Sequence, residues 1–220
     1  MKAYYLILLF TCFTLSLAAQ DRKFNVGLDM SLSLSATTRK FGNAADYGMR
    51  FSQNLFVKSG YYVTRNMEVT AGFGLLTTRQ FEAIEFIPDI DRIELDHSHR
   101  YLVIPFGIKY HFGSFYVHPE IGIGADAGHP TRQYTFTTTM GPTFNLNSVI
   151  VQQFNASDHF FGYRDYSLPL FLTLGSEFDL GVVSMILGVK GYYSLSTLKE
   201  SQFGPPEHYY GVGVVTGVKF

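Results

Sequence analysis

Apolar and polar residues alternate along most of this chain with a period of two. Over residues 23–35, Phe24, Val26, Leu28, Met30, Leu32 and Leu34 fall on one side, and Asn25, Gly27, Asp29, Ser31 and Ser33 fall on the other. Successive side chains of a strand point to opposite faces, so this period predicts a β-strand with one smooth apolar side. The pattern recurs over about 50–63, where Phe51, Leu55, Val57, Tyr61 and Val63 oppose Asn54, Lys58 and Gly60. It recurs over 67–81, with Val69, Ala71, Phe73 and Leu75 against Glu68, Thr70, Gly72 and Gly74, and over 99–111, with Leu102, Ile104, Phe106, Ile108 and Tyr110 against Pro105, Gly107 and Lys109. Four more segments complete the set. Residues 115–127 set Val117, Ile121, Ile123 and Ala125 against His118, Glu120, Gly122, Gly124 and Asp126. Residues 165–178 set Tyr166, Leu168, Leu170, Leu172 and Leu174 against Ser167, Thr173 and Gly175, and 182–194 set Val183, Met185, Leu187, Val189 and Tyr193 against Ser184, Gly188 and Lys190. The last, 210–220, sets Tyr210, Val212, Val214, Val218 and Phe220 against Gly211, Gly213, Val215, Gly217 and Lys219.

Eight strands follow, joined by two kinds of connection. Thr64–Asn66, His111–Ser114 and Asp179–Gly181 read as short turns, and the segments near 36–49, 82–98, 128–164 and 195–207 as long loops. Short and long alternate strictly. That is the arrangement of an eight-stranded antiparallel up-and-down transmembrane β-barrel, with short periplasmic turns and longer external loops. An even strand count puts both barrel termini on the periplasmic side. The outward face is decided by cost. In the reverse phase Asp29, Lys58, Glu68, Lys109, Glu120 and Lys190 would point into hydrocarbon, where a Lys or Arg at the midplane costs about 2–4 kcal/mol. The apolar set therefore meets lipid, with Phe24, Tyr61, Tyr110, Phe115, Phe178 and Phe220 predicted as a periplasmic girdle and Phe51, Phe81, Tyr166, Tyr193 and Tyr210 as an external one. Pro105, Pro119 and Pro169 sit inside strands and cannot donate to a ladder, which predicts a bulge or a gap at each.

A barrel of eight strands is just wide enough for its own side chains to fill. The inward set holds Asp29, Glu68, Glu120 and Asp126 with Lys58, Lys109, Lys190 and Lys219. Buried ions persist only when paired and hydrogen-bonded. The balance predicts a lumen charge network among these eight residues and a plugged barrel; a narrow ion path through the same residues is the functional alternative. The terminal pattern Tyr210, Val212, Val214, Val218 and Phe220 is read as the C-terminal signal for the barrel-assembly machinery during insertion.

Composition sets the address. The net charge of -1 excludes a strongly basic nucleic-acid binder. No internal apolar run is long enough for a helical span. Lys2, the apolar stretch Ala3 to Leu17 and the small-residue end Ala18-Ala19-Gln20 predict a signal peptide over 1–19, with the barrel domain over 20–220. The single cysteine, Cys12, lies inside that leader, so the mature domain lacks disulfides. There is no Trp, leaving 15 Tyr and 21 Phe to build the aromatic belts. The expected address is the outer membrane of a Gram-negative-type bacterium, in contact with outer-membrane lipid, and a monomer is expected.

The stretch Tyr101-Leu-Val-Ile-Pro-Phe-Gly-Ile-Lys-Tyr-His-Phe112 resembles a recurring strand of the outer-membrane β-barrel domain family often called PorT-like, among small porin-family barrels. Ser167-Leu-Pro-Leu-Phe-Leu-Thr-Leu-Gly175 and the terminal strand resemble it as well. The resemblance spans about residues 21–220 and implies barrel strands. It carries no functional residues over.

Candidate chemistry is thin. Asp96-His97-Ser98-His99 puts both histidines on one side if extended, a feasible metal pair, but a solvated loop rim accounts for it as well. His129 and His159 fall in the third long loop. His118 points inward beside Glu120, consistent with structural hydrogen bonding or a proton relay. Ser98, His99 and Asp96 are near in sequence, yet no Gly-x-Ser-x-Gly elbow or phosphate-cradling glycine loop accompanies them. The reading is a non-enzyme with no cofactor, no catalytic residue and no metal; a lipid-modifying enzyme and a small porin are the alternatives. Within 128–164, Gln133–Thr139 and Ser148–Phe154 could form a projecting hairpin whose edge pairs with a protein partner by strand addition.

Overall fold

The computed structural model describes residues 23–38, 46–87, 91–127, 131–138, 152–154, 166–197 and 208–220. The leader expected over 1–19, and His129 and His159, lie outside these residues. Every described element is a strand: β1 (Phe24–Thr37), β2 (Asp46–Tyr62), β3 (Met67–Ile87), β4 (Asp91–Phe112), β5 (Phe115–Asp126), β6 (Thr131–Thr138), β7 (Gln152–Phe154), β8 (Tyr166–Ser167), β9 (Pro169–Asp179), β10 (Ser184–Ser194) and β11 (Tyr209–Lys219).

All pairings are antiparallel, and they close on themselves. Neighbours follow chain order from β1 to β5, then β5 pairs with β8 and β9, β9 with β10, and β10 with β11. The cylinder shuts where β1 meets β11, from Gly27↔Lys219 to Thr37↔Tyr209. β8 and β9 are one stave broken at Leu168, so the barrel has eight. Closure leaves no free edge within the wall, which is what a membrane interior demands. Both described ends sit on one rim, where the Val26 and Phe220 backbones exchange hydrogen bonds of 3.2 and 2.8 Å. That rim also carries the short turns, in which Gly113 (φ 69°) and Gly181 (φ 96°) take the left-handed backbone that a side chain disfavours.

The predicted phase is the observed one. Leu28, Met30, Leu32, Leu102, Ile104, Leu170, Leu172, Val212 and Val214 are exposed on the outer wall. Lys58, Glu68, Lys109, Glu120, Lys190 and Lys219 are buried inside it. Pro105, Pro119 and Pro169 each open a ladder, as expected, and none shifts its register. The β3–β4 pairing lapses between Ala71↔Phe106 and Gly74↔Val103, opposite Pro105. The β4–β5 pairing lapses between Gly107↔Glu120 and Tyr110↔Val117, at Pro119. The pairing of β5 with the broken stave lapses between Ile121↔Leu170 and Gly124↔Ser167, at Pro169. A missing N–H removes bonds on one side only, so the partner strand keeps its place.

One of the expected long connections is overturned. Most of 82–98 is not loop: β3 continues through residues 82–87 and β4 through residues 91–98 as paired strands, from Glu82↔Leu95 to Ile87↔Asp91. β6 adds to the outer part of β4, from Asp91↔Thr138 to Ser98↔Thr131, and β7 adds to β6, from Arg132↔Phe154 to Tyr134↔Gln152. A four-stranded sheet thus stands above the long-loop rim, and the hairpin expected within 128–164 forms part of it.

Candidate functional site

Among the described residues, buried chemistry converges in the lumen, which has two layers. The layer nearer the short turns is ionic. Glu120, from the middle of β5, lies at its centre: Lys58 Nζ stands 2.7 Å from Oε1, Lys190 Nζ 3.5 Å from Oε2, and His118 Nε2 3.6 Å from Oε1. Lys58 also reaches Asp29 at 3.1 Å, and His118 Nε2 is 2.7 Å from Thr70 Oγ1. A second centre forms at Glu177, which takes Lys109 Nζ at 2.7 Å and also the Lys219 ammonium. Lys219 Nζ donates to Tyr62 OH at 2.9 Å and lies 3.7 Å from Glu68, whose carboxylate is 3.2 Å from His111 Nε2. Four carboxylates thus face four ammonium groups, and these contacts tie β1, β2, β3, β4, β5, β9, β10 and β11 together across the interior. In a medium of low dielectric such groups are tolerable only in a matched set.

The layer nearer the long loops is aromatic. Phe56 packs edge-on against Phe171 with ring centroids 5.7 Å apart, Phe171 meets Tyr192 at 6.3 Å, and Tyr192 meets Tyr209 at 6.1 Å. Tyr209 stacks on Tyr101 at 5.8 Å, and Leu76 and Val103 fill the gaps. Tyr192 OH lies 3.4 Å from Ser52 Oγ, and Tyr209 OH bonds Ser167. Facing glycines make the room. A Cβ on Gly211 would collide with the Tyr192 ring, and one on Gly175 would come within 2.7 Å of Tyr116 OH. Lys190 joins the layers, its Nζ 4.3 Å from the Phe56 ring centroid and 4.4 Å from that of Phe171, a cation–π sandwich above Glu120.

Of the eight residues expected in the charge network, seven meet in the ionic layer: Asp29, Lys58, Glu68, Lys109, Glu120, Lys190 and Lys219. Asp126 does not join them. It ends β5 opposite Tyr101, about 20 Å along the strand from Glu120 at the rise of an extended chain. Glu177, His111 and Tyr62 belong to the network and were not anticipated, although Glu177 shares the inward phase of Thr173 and Gly175. The aromatic layer was not anticipated either. His99 is no part of a solvated rim: it is buried in the lumen, and Ser98 takes the opposite phase, so these two do not converge as a nucleophile and base would. The side chains of Asp96 and His97 lie outside the described residues.

Among the described residues, Glu68, His111 and Glu177 bring ligand atoms within 4.8 Å of one another, a spacing that suits a cation. The Lys219 ammonium already reaches both carboxylates, and Lys109 adds a second charge at Glu177, so lysines meet the need a metal would. A cavity of about 690 Å³ opens from the short-turn rim and is floored by His111, Glu177 and Lys219, at the ionic layer. The arrangement can hold paired charge, and on its short-turn side it is open to the rim cavity. It presents no activated nucleophile.

The sequence matches no family profile and no curated protein sequence. Solved structures do resemble it loosely. Ail, the attachment invasion locus protein of Yersinia pestis, aligns with a TM-score of 0.44 at 12% identity, over 90% of this chain and 99% of that one. Neisserial surface protein A aligns at 0.43 with 11% identity, over 90% and 97%. The outer membrane enzyme PagL aligns at 0.36 with 13% identity, over 86% and 97%. The assignment as a closed eight-stranded barrel of the outer-membrane type rests on the strand pairing and the inverted burial described above.

Proposed function

We propose that this chain is a closed outer-membrane scaffold that presents the sheet of β3, β4, β6 and β7 to a protein partner outside the cell. The carrying observation is the combination of a lumen filled at two levels with strands that continue beyond the wall. A filled lumen removes the need for loops to guard a pore. Strands prolonged past the belt make a rigid platform, and a sheet edge offers backbone groups for strand addition. In this reading the short-turn rim and both barrel termini face the periplasm, residues 1–19 direct export, and Tyr210, Val212, Val214, Val218 and Phe220 address the assembly machinery. The barrel is a monomer embedded in outer-membrane lipid, and it catalyses no reaction.

Deleting residues 131–155 tests the reading. The truncated barrel is expected to keep its heat-modifiable gel mobility and to lose proteins that copurify with the full chain in mild detergent. The full chain is expected to show no stable single-channel conductance in planar bilayers. Unchanged copurification and cell adhesion after the deletion, or a large steady conductance from the full chain, would contradict it.

A further inference from the structure

Among the described residues of the β2–β3 pairing, the wall has a weak interval that no proline explains. Between Met49↔Gln80 and Leu55↔Leu75 the β2–β3 register moves by one, so five residues of β2, 50–54, face four of β3, 76–79. The ladder is replaced there by side chains from inside. The Thr77 N–H donates to Asn54 Oδ1 at 2.9 Å, and the Arg79 N–H donates to Ser35 Oγ at 2.8 Å. The same hydroxyl lies 2.8 Å from the Arg79 carbonyl oxygen and 3.3 Å from that of Arg50. Ser35 belongs to β1. A seryl side chain is much shorter than two strand spacings of about 4.8 Å, so it reaches β3 only because β2 stands out of line between them. Phe51, on the displaced segment, is 71% exposed, more than any other described aromatic residue.

The position of this interval matters. It lies at the long-loop end of the belt, level with the aromatic half of the lumen. Leu76, within the interval, is fully buried on its inner side, and Phe56 follows just below on β2. A cleft too narrow for water runs behind it, lined by Ala36, Thr37, Thr78, Arg79, His99 and Tyr209. Opening the wall lower down would bare paired ions to hydrocarbon. Opening it here bares Leu76 and Tyr209 beside Thr78, Arg79 and His99.

We propose that the β2–β3 interval is a lateral port, latched from inside by Ser35 and Asn54, through which an apolar chain from the adjoining leaflet reaches the aromatic half of the lumen. The port rests on the membrane placement of the belt and is independent of partner docking, so failure of the 131–155 deletion test leaves it standing. Opening breaks two side-chain latches instead of a run of ladder bonds, and the entering chain replaces contacts among Leu76, Tyr192 and Tyr209.

The test uses the full barrel in lipid nanodiscs. Amide exchange at Thr77 and Arg79 is expected to be at least tenfold faster than at Ala71, whose strand pairs normally with β2. Stearic acid bearing a terminal diazirine is expected to leave photo-adducts on Leu76 or Tyr209, with a yield at least threefold higher in Ser35→Ala. Exchange at Thr77 and Arg79 as slow as at Ala71, or adducts confined to outward residues such as Leu75 and Leu102, would overturn the proposal. The wild-type arm decides even where the variant fails to fold.

Discussion

Glu120→Ala is expected to cost the barrel about 3–5 kcal/mol, the usual penalty for leaving a buried charge without its partner. The carboxylate holds Lys58 at 2.7 Å and Lys190 at 3.5 Å, and both lysines are buried in the lumen. Lys58 keeps Asp29 after the substitution. Lys190 loses its nearest anion and keeps the faces of Phe56 and Phe171 with Asp29 farther off, and cation–π attraction of about 2 kcal/mol when desolvated cannot replace the lost contact. Urea titration in detergent micelles, followed by heat-modifiable mobility, is expected to show the midpoint fall sharply or the folded band vanish. The triple change Glu120→Leu, Lys58→Met, Lys190→Met removes the set together and is expected to recover most of the loss, because a buried ion cluster exchanged for packed apolar groups is often neutral. A Glu120→Ala barrel as stable as the wild type would show that water, and not the matched set, solvates these ions.

Gly213→Val is expected to prevent closure altogether. Gly213 pairs with Ser33 where the first and last staves meet. A Cβ there would land on the Leu32 carbonyl oxygen and on Ser33 Cα. These are backbone atoms of the facing strand, so no rotamer change relieves the contact and the seam itself has to part. Without that seam the wall has two bare edges in lipid, each unsatisfied group costing several kcal/mol. The expected readout is loss of the heat-modifiable band, with Gly213→Ala weakened in the same direction. Gly191→Ala is the control. Its Cβ would meet nothing closer than the Gly211 carbonyl oxygen at 3.9 Å, and it is expected to fold normally. Normal folding of Gly213→Val would mean that β1 and β11 lie farther apart than described.

The strand frame was legible in the sequence because lipid imposes it. Where a wall residue such as Lys109 or Asp29 must avoid hydrocarbon, the alternation is enforced one residue at a time. Above the belt that pressure ends. Glu82, Glu85, Arg92, Glu94 and Asp96 therefore read as loop, although backbone pairing among β3, β4 and β6 carries the strands through them. The aromatic layer was hidden for a related reason. Leu55-Phe56-Val57, Leu170-Phe171-Leu172 and Tyr209-Tyr210 are apolar on both phases, and a search for alternation takes note only of the outward member. Runs of consecutive apolar residues inside a barrel strand were the available signal. Which lysine meets which carboxylate depends on the stagger of strands around the cylinder, which no single segment records. The β2–β3 interval has no local signature either, since Ser35 and Asn54 look like ordinary inward polar residues until the register shift brings them against β3.

The barrel carries an apolar skin over a polar and aromatic filling, and neighbouring methyl groups report it without perturbation. In nanodiscs, nuclear Overhauser contacts to lipid acyl protons are predicted for Val214 and Leu187, which are about half exposed on the outer wall, and not for Val215 and Ile186, each buried to within 3% on the inner side. Acyl contacts at Val215 and Ile186, with water contacts at Val214 and Leu187, would contradict the account.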